Sequence, residues 1–543
     1  MNPSLLQAAS DYFSHLARHF PVMCASDEFH FMPRVQEAAQ YYDRVEDFHS
    51  GFVEEQLSVL ADYSALFHRL SSADLPLEDA IDCELLKASA AGICLEFSRC
   101  RSWRHNPLFY LKIAFIGLDH ALNKPCGGCE ERSHRVRSRL EQLPGLLRQA
   151  ARNLLQVPGT HRRAALQMAS DCDRYLEEIR WNAEHPLQGC DPGLEATRAA
   201  LVCFVKYLES LAPVGDGECP VPPVREILRD HLASVRSLTE VYELAGEDWS
   251  RCLEELNRLQ REIGKERSWQ ELYHGYMPSR INEEDILDLY RGEMESLKAF
   301  FRGHGFETPT GSDLPVVCAT PTYLRSTRSS ASFSAAFTVD ERERDFFYIT
   351  ADVAETRGPE AAALLRKRIH REFRFLTAHE TFPGHFLLDS TRRRLPNPVR
   401  SQIESPLFYE GWAYYCESLL TECGYVEDPM ECLVDWKRRL WRAGRCRVDV
   451  GTSIGLMSWE DAVEQIAQAG FGREEARNQV ERYRLNPGYQ LCYALGRFEI
   501  ATLRERYAGR MGRDGFHRTL LEGGEIPFHL LEKRLQGLMS TDL

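Results

Sequence analysis

Apolar residues recur at three- and four-residue steps through most of the chain, the spacing that gives a helix one buried stripe. From Val224 to about Ile263 the stripe reads Ile227, Leu228, Leu232, Val235, Leu238, Val241, Leu244. A second runs from Glu283 to Phe301, with Asn282 placed as its N-cap and Gly303 and Gly305 as stops. Met1 to Pro21 is amphipathic as well. One stretch departs from this period. Leu314 to Thr350 contains Leu-Pro-Val-Val-Cys, then Ser332 to Val339, then Phe346 to Thr350. These are short runs rich in β-branched and aromatic residues, broken by polar turns, and they predict a small sheet. Gly358-Pro359-Glu360 then opens a helix, with proline in the first turn and an acidic residue after it. Pro213 to Pro223 is rich in Gly and Pro and has no period. It is the expected linker (214–223) between an N-terminal helical half, 1–213, and a second half, 224–543, that holds the sheet at about 314–350. Asn182 to Gly193 reads as a loop, and no internal repeat is evident. The expected fold class is mainly α.

Composition narrows the partners. The chain has 543 residues, 43% hydrophobic and 27% charged, with a formal net charge of -15. That acidity argues against nucleic acid, whose phosphates call for clustered Lys and Arg. The run Arg392-Arg393-Arg394 is balanced by acidic neighbours and reads as a solvated helix face. No window approaches the ~20 apolar residues of a membrane span, and the N-terminus lacks the basic and apolar regions of a secretory signal. The 17 cysteines are scattered singly, as reduced thiols of a cytoplasmic protein are. Cys126-Gly-Gly-Cys129, near His134, has no second CxxC and reads as a turn with ordinary thiols. Oligomeric state is not legible.

The chemistry concentrates in His379-Glu380-Thr381-Phe382-Pro383-Gly384-His385. Leu365, Ile369, Phe373 and Leu376 form an inward stripe, and His379 and Glu380 fall on its continuation. Ionisable groups at the end of an apolar stripe are costly without a partner, and a divalent cation would supply one. In HExxH metalloproteases two histidines at i and i+4 bind zinc, and the intervening Glu is the general base. Here the second His stands at i+6, about 9 Å along and roughly 120° round a straight helix. Pro383 clashes with the carbonyl of His379, and Gly384 tolerates unusual backbone angles. A break there could swing His385 back beside His379. Downstream, Glu410 and Glu417 stand seven residues apart on one face of an aromatic-rich helix. Glu410 is the better ligand candidate, and Glu417 would suit an acceptor that orients a ligand imidazole.

HETFPGH followed by EGWAYYCE resembles the bacterial "domain of unknown function 885" family, whose signatures read HExxPGH and EGWAxYxE. Asn106 to Tyr110, Thr320 to Arg325, and the stretch from Arg482-Tyr483 through Pro487-Gly488, Tyr493 and Gly496 are similar to further family segments. Phe516-His517 and Gly523 to Pro527 follow them. The resemblance implies a gluzincin-like metallopeptidase relative with a large helical zincin-like fold. It implies one zinc ion on His379, His385 and Glu410, with Glu380 as catalytic base. It also implies a substrate channel between two helical halves, edged by the small sheet. An edge strand at Phe346 to Thr350, with Tyr348, would then pair with an extended peptide. Phe386 stands where many members continue with a second His, Ser453 where an expected His would be, and Tyr489 where many have Gln.

The expected function is zinc-dependent hydrolysis of an amide in a short peptide or N-acyl amino acid. Tyr493 or Tyr489 would donate to the oxyanion, and Arg325 or Arg445 would anchor a substrate carboxylate. Two alternatives stay open: a specialised metal enzyme that cleaves or forms an amide in natural-product metabolism, and a catalytically silent helical binding protein.

Overall fold

The computed structural model of the chain describes residues 2–71, 74–181, 187–212, 214, 223–264, 266–278, 286–309, 313–328, 330–350 and 359–541. It is mainly helical with one small sheet. Most of the expected linker, the Asn282 cap and Gly358 lie outside the described residues. Chain contacts divide it into two compact units. The first comprises Met1–Val221, Thr320–Ser329 and Ser334–Arg344; the second comprises Pro222–Ala319, Ser330–Phe333 and Asp345–Leu543.

The first unit contains helices α1 (Pro3–His19), α2 (Phe52–Ser71), α3 (Leu77–Leu95), α4 (Pro107–Asn123), α5 (Cys129–Asn153), α6 (Gly159–Arg180) and α7 (Asp191–Ser210). Asn106 caps α4 through its side chain, which accepts the Leu108 N–H, and Pro107 takes the first turn. Beneath lies an aromatic core in which Phe48 packs edge-on against Phe52, Phe109 and Tyr110.

The second unit contains α8 (Leu238–Ile263), α9 (Ile286–Arg302), β1 (Val316–Ala319), β2 (Ala331–Ser334) and β3 (Phe346–Ile349). It continues with α10 (Pro359–Glu380), α11 (His385–Arg392), α12 (Pro406–Glu422), α13 (Pro429–Ser453) and α14 (Leu491–Met511). The stripe expected to run unbroken from Val224 is interrupted before Leu238. Ser237 and Glu240 form a reciprocal capping box that starts α8 afresh, so Val235 is 77% exposed. The strand run expected from Ser332 to Val339 stops at Ser334.

The sheet order is β1-β3-β2, with β1 and β3 parallel and Val316 opposite Phe346. This corrects the expectation for Phe346 to Thr350: β3 is the central strand and both its edges are taken, so Tyr348 does not lie on a free edge. Among the described residues, β1 and β2 are the outer strands. Arg392 and Arg393 also differ from expectation. Both are buried, Arg392 on Asp389 (2.6 Å) and Glu525 (3.0 Å), Arg393 on Asp345 (2.5 Å). A charge run shows only that cations are present; carboxylates far along the chain draw these two inward and tie α11 to the start of β3.

α12 and α14 approach each other at two glycines. A Cβ on Gly496 would stand 2.1 Å from the Leu407 carbonyl oxygen, and one on Gly411 2.5 Å from the Gly496 backbone. Only hydrogen at both positions lets the two backbones meet, which sets where α12 presents its carboxylates.

Candidate metal centre

α10 packs its stripe of Leu365, Ile369, Phe373 and Leu376 against Val317 of β1, Ala331 of β2, Phe347 and Ile349 of β3, and Tyr290 and Met294 of α9. The sheet that precedes α10 in sequence therefore holds the helix that carries His379 and Glu380. α10 ends at Glu380, and a turn over 381–384 leads directly into α11 at His385. The Phe382–Pro383 peptide bond is cis. Gly384 donates its N–H to the Ala378 carbonyl at 3.0 Å. A Cβ there would sit 2.0 Å from the His379 carbonyl oxygen, so no larger residue fits the turn. With the chain folded back, the His379 and His385 rings lie 4.7 Å apart, nearly perpendicular.

α12 contributes four side chains to this turn. Trp412 donates its indole N–H to the Pro383 carbonyl (3.0 Å), and the Cys416 thiol points at the same oxygen (3.4 Å). Glu410 reaches both imidazoles: its Oε2 is 3.4 Å from His379 Nε2 and 3.5 Å from His385 Nε2. Glu417 lies 2.8 Å from His379 Nδ1, leaving Nε2 to face Glu410. His379, His385 and Glu410 are the one group of buried donors among the described residues placed to hold a metal ion.

The separations bear on what fits. A charge-assisted N–H···O bond closes to ~2.7–2.9 Å; these gaps are wider, and Glu410 Oε2 has no hydrogen-bond partner although it is buried. Zinc bonds of ~2.0–2.2 Å arranged tetrahedrally put neighbouring donor atoms ~3.3–3.6 Å apart. Two imidazole nitrogens and a carboxylate oxygen at 3.4 and 3.5 Å match that spacing, and the donor set suits zinc or a similar divalent ion.

Charges reinforce the arrangement. Burial would depress the His379 imidazolium, but the facing Glu410 and Glu417 carboxylates outweigh it and its pKa is raised. Burial pushes the Glu410 carboxyl up, yet the two imidazoles hold it well below the usual carboxylate range. Glu417, opposed by burial in the same way, is held low by Arg438 and Arg442. Its Oε2 accepts from Arg438 (3.0 Å) and its Oε1 from Arg442 (2.5 Å). Arg438 also pairs with Glu372, which accepts the Tyr273 hydroxyl. This buried network behind His379 includes Arg438, Arg442, Glu372 and Tyr273, none of which sequence reasoning named. The only local hints were Arg438 and Arg442 one helical turn apart, and Glu372 seven residues before His379 on the same face.

The remaining expected residues fall as follows. Glu380 sits beside the centre, and its Oε2 accepts the Phe333 N–H of β2 at 2.8 Å. Tyr489 donates its hydroxyl to Glu410 Oε1. The Tyr493 ring stacks 6.1 Å from the His379 ring. Arg445 lies against the other side of this group, its Cζ 4.2 Å from the Tyr493 ring centroid. Asp449 accepts the backbone N–H of Gly488 and Gln490, both at 2.9 Å, fixing the loop that carries Tyr489; burial pushes its carboxyl up to about 6. Tyr348 stacks on Phe346 within β3. Arg325 belongs to the first unit, where its Nε reaches the Thr320 carbonyl at 3.4 Å. Ser453, at the end of α13, donates to the Val450 carbonyl.

The sequence pattern of the family described as "Bacterial protein of unknown function (DUF885)" matches residues 34–535. Among solved structures, a "putative lipoprotein of unknown function" from Shewanella oneidensis is similar with a TM-score of 0.72 and 19% identity, over 98% of this chain and 99% of that one. A "putative lipoprotein" from Colwellia psychrerythraea is similar with a TM-score of 0.76 and 17% identity, over 98% and 100%. At that identity the likeness is one of fold alone. No curated protein matches the chain.

Proposed function

We propose that this chain, which belongs to the bacterial DUF885 family, is a zincin-like metallohydrolase that cleaves an amide bond in a short peptide or N-acyl amino acid. The observation that carries this reading is the convergence of His379 Nε2, His385 Nε2 and Glu410 Oε2 beside the Glu380 carboxylate. A zinc-like ion held there would polarise the scissile carbonyl and lower the pKa of a bound water towards neutrality. Glu380 takes the proton of the attacking water and passes it to the leaving amine. The Phe333 N–H keeps that carboxylate aimed. Glu417 fixes the His379 tautomer, with the proton on Nδ1. Tyr489 and Tyr493 both engage Glu410, and one of the two hydroxyls would turn to the developing oxyanion. The cytoplasmic placement rests on the described cysteines, none of which is in a disulfide.

The purified protein should carry about one divalent ion per chain, and hydrolysis of a dipeptide and N-acyl amino acid panel should vanish on chelation and return with zinc. A chain with no stoichiometric metal, whose behaviour is unchanged by His379→Ala, would be a binding scaffold instead. Metal at full occupancy without amide hydrolysis would favour the specialised reading, which the departures at Phe386 and Ser453 support.

Metal affinity should also depend on pH with a definite sign. In the metal-free protein the raised pKa of His379 means a proton holds the site until the pH exceeds that value, and an ion must displace it. Apparent affinity in a competition titration is expected to strengthen as pH rises from 6 towards 8. An affinity flat across that interval would remove His379 from the ligand set.

A further inference from the structure

Arg445 is a half-buried guanidinium beside the centre, on which the Glu410 and Asp449 carboxylates act only at longer range. Its Nε donates to Gln490 Oε1 at 3.0 Å and its Nη2 donates to the same oxygen, while Cζ lies 4.2 Å from the Tyr493 ring, 5.0 Å from Trp441 and 5.5 Å from Tyr483. Four neighbouring arginines are paired with acids, whereas Arg447 turns to the Tyr242 hydroxyl. Arg438 and Arg442 sit on Glu417, Arg439 on Asp435 at 2.8 Å, and Arg368 on Glu475 at 3.4 Å. The acid one turn from Arg445, Asp449, is occupied by backbone N–H groups of Gly488 and Gln490. Among the described residues, no carboxylate stands within ion-pair distance of Arg445. Packed among rings and held along its Nε/Nη2 edge by Gln490, the rigid guanidinium has its opposite edge to offer a planar acceptor.

Its position sets what that acceptor can be. Tyr493 neighbours both groups, 4.2 Å from the Arg445 Cζ and 6.1 Å from the His379 ring. The guanidinium is therefore no more than about 10 Å from a ligand imidazole, taking the two contacts end to end. One residue spans ~3.6 Å from scissile carbonyl to terminal carboxylate, and a guanidinium–carboxylate pair adds ~4 Å between carbons. One residue fits within that distance.

We propose that Arg445 binds the free terminal carboxylate of the substrate, so that the protein releases a single carboxyl-terminal amino acid from a short peptide or an N-acyl amino acid and does not cut within a longer chain. The proposal rests on the hydrolase reading above. Water's hydroxyl goes to the acyl carbon and its proton to the leaving nitrogen as the C–N bond breaks, giving one carboxylic acid and one free amino acid. Arg445 is a specificity residue: it touches the end of the substrate that does not react.

The test uses the metal-loaded Glu380→Gln protein, which can bind without turnover. Its probes are benzoyl-glycine, -leucine, -phenylalanine, -lysine and -aspartate, each as the acid and as the carboxyl-terminal amide, followed by calorimetry. The best-bound acid is expected to exceed its amide by roughly 10- to 100-fold. Adding Arg445→Met should erase the difference with metal content unchanged, and adding Arg445→Lys should lose most of it, since an ammonium lacks the fork. In the parent enzyme Arg445→Met should raise KM more than it lowers kcat. Equal binding of acids and amides, no binding of any acid, or a preference that survives both substitutions overturns the proposal. An acid preference that depends on Arg445 in a protein that never hydrolyses an amide would sink the hydrolase reading and leave the anion site standing.

Discussion

Glu380→Gln is expected to lower kcat for amide hydrolysis on the order of 10³-fold while the chain still carries its metal. The substitution is nearly isosteric. A glutamine carbonyl oxygen can still accept the Phe333 N–H that holds Glu380 at 2.8 Å, so the side chain should keep its place. What it loses is the capacity to take a proton from water and return it to nitrogen. Steady-state kinetics and elemental analysis on the same preparation separate the two effects. Turnover within tenfold of the parent, with metal retained, would remove Glu380 from the role of base.

The second large effect is expected at Glu417. It is fully buried and is shared by His379, Arg438 and Arg442. Glu417→Ala leaves two guanidiniums facing each other in the interior, and removing one partner of a buried ion pair costs about 3–5 kcal/mol. Because Glu417 also holds the His379 tautomer, metal affinity should fall 10- to 100-fold. Burial opposes its charge, but the arginines hold the carboxyl far below its ordinary value. A carboxylate with a depressed folded pKa contributes fully above its unfolded pKa and loses that contribution as pH falls through the folded value. The stabilisation is therefore intact at neutral pH and lost only in strong acid. Thermal unfolding of the metal-free protein reads the first effect and a metal competition titration the second. With two compact units, unfolding need not be two-state, so the comparison is made on the transition that Glu417→Ala shifts. If metal affinity is unchanged while that transition moves, Glu417 is structural and does not orient the ligand.

Much of the local plan was legible because helices and strands write their faces into short spacings. The stripe ending at His379 packs as a stripe should, and the three aromatic and β-branched runs form a sheet directly ahead of that helix. Where the stripe breaks, a second local signal overrides it. Ser237 and Glu240 were a capping box in plain view, and they explain why Val235 faces solvent. The edge strand was misassigned for a different reason: strand order is a property of pairing between distant segments, and the pattern within Phe346–Ile349 is the same for a central strand as for an edge.

By itself the sequence determined the helical class, the position of the sheet, and the residue types able to hold an ion, because period, caps and side-chain chemistry are local. It also raised the question posed by an i+6 histidine pair without answering it. Only the tertiary structure decided that the Pro383-Gly384 turn, gripped at its carbonyl by Trp412 and Cys416, brings the imidazoles together. Only there did Glu417 acquire two arginines from α13, and Arg445 turn out to have none of the local acids as partner. The reason is physical. Which carboxylate neutralises which cation depends on helices that meet after tens of residues of intervening chain, and no short-range regularity encodes the meeting.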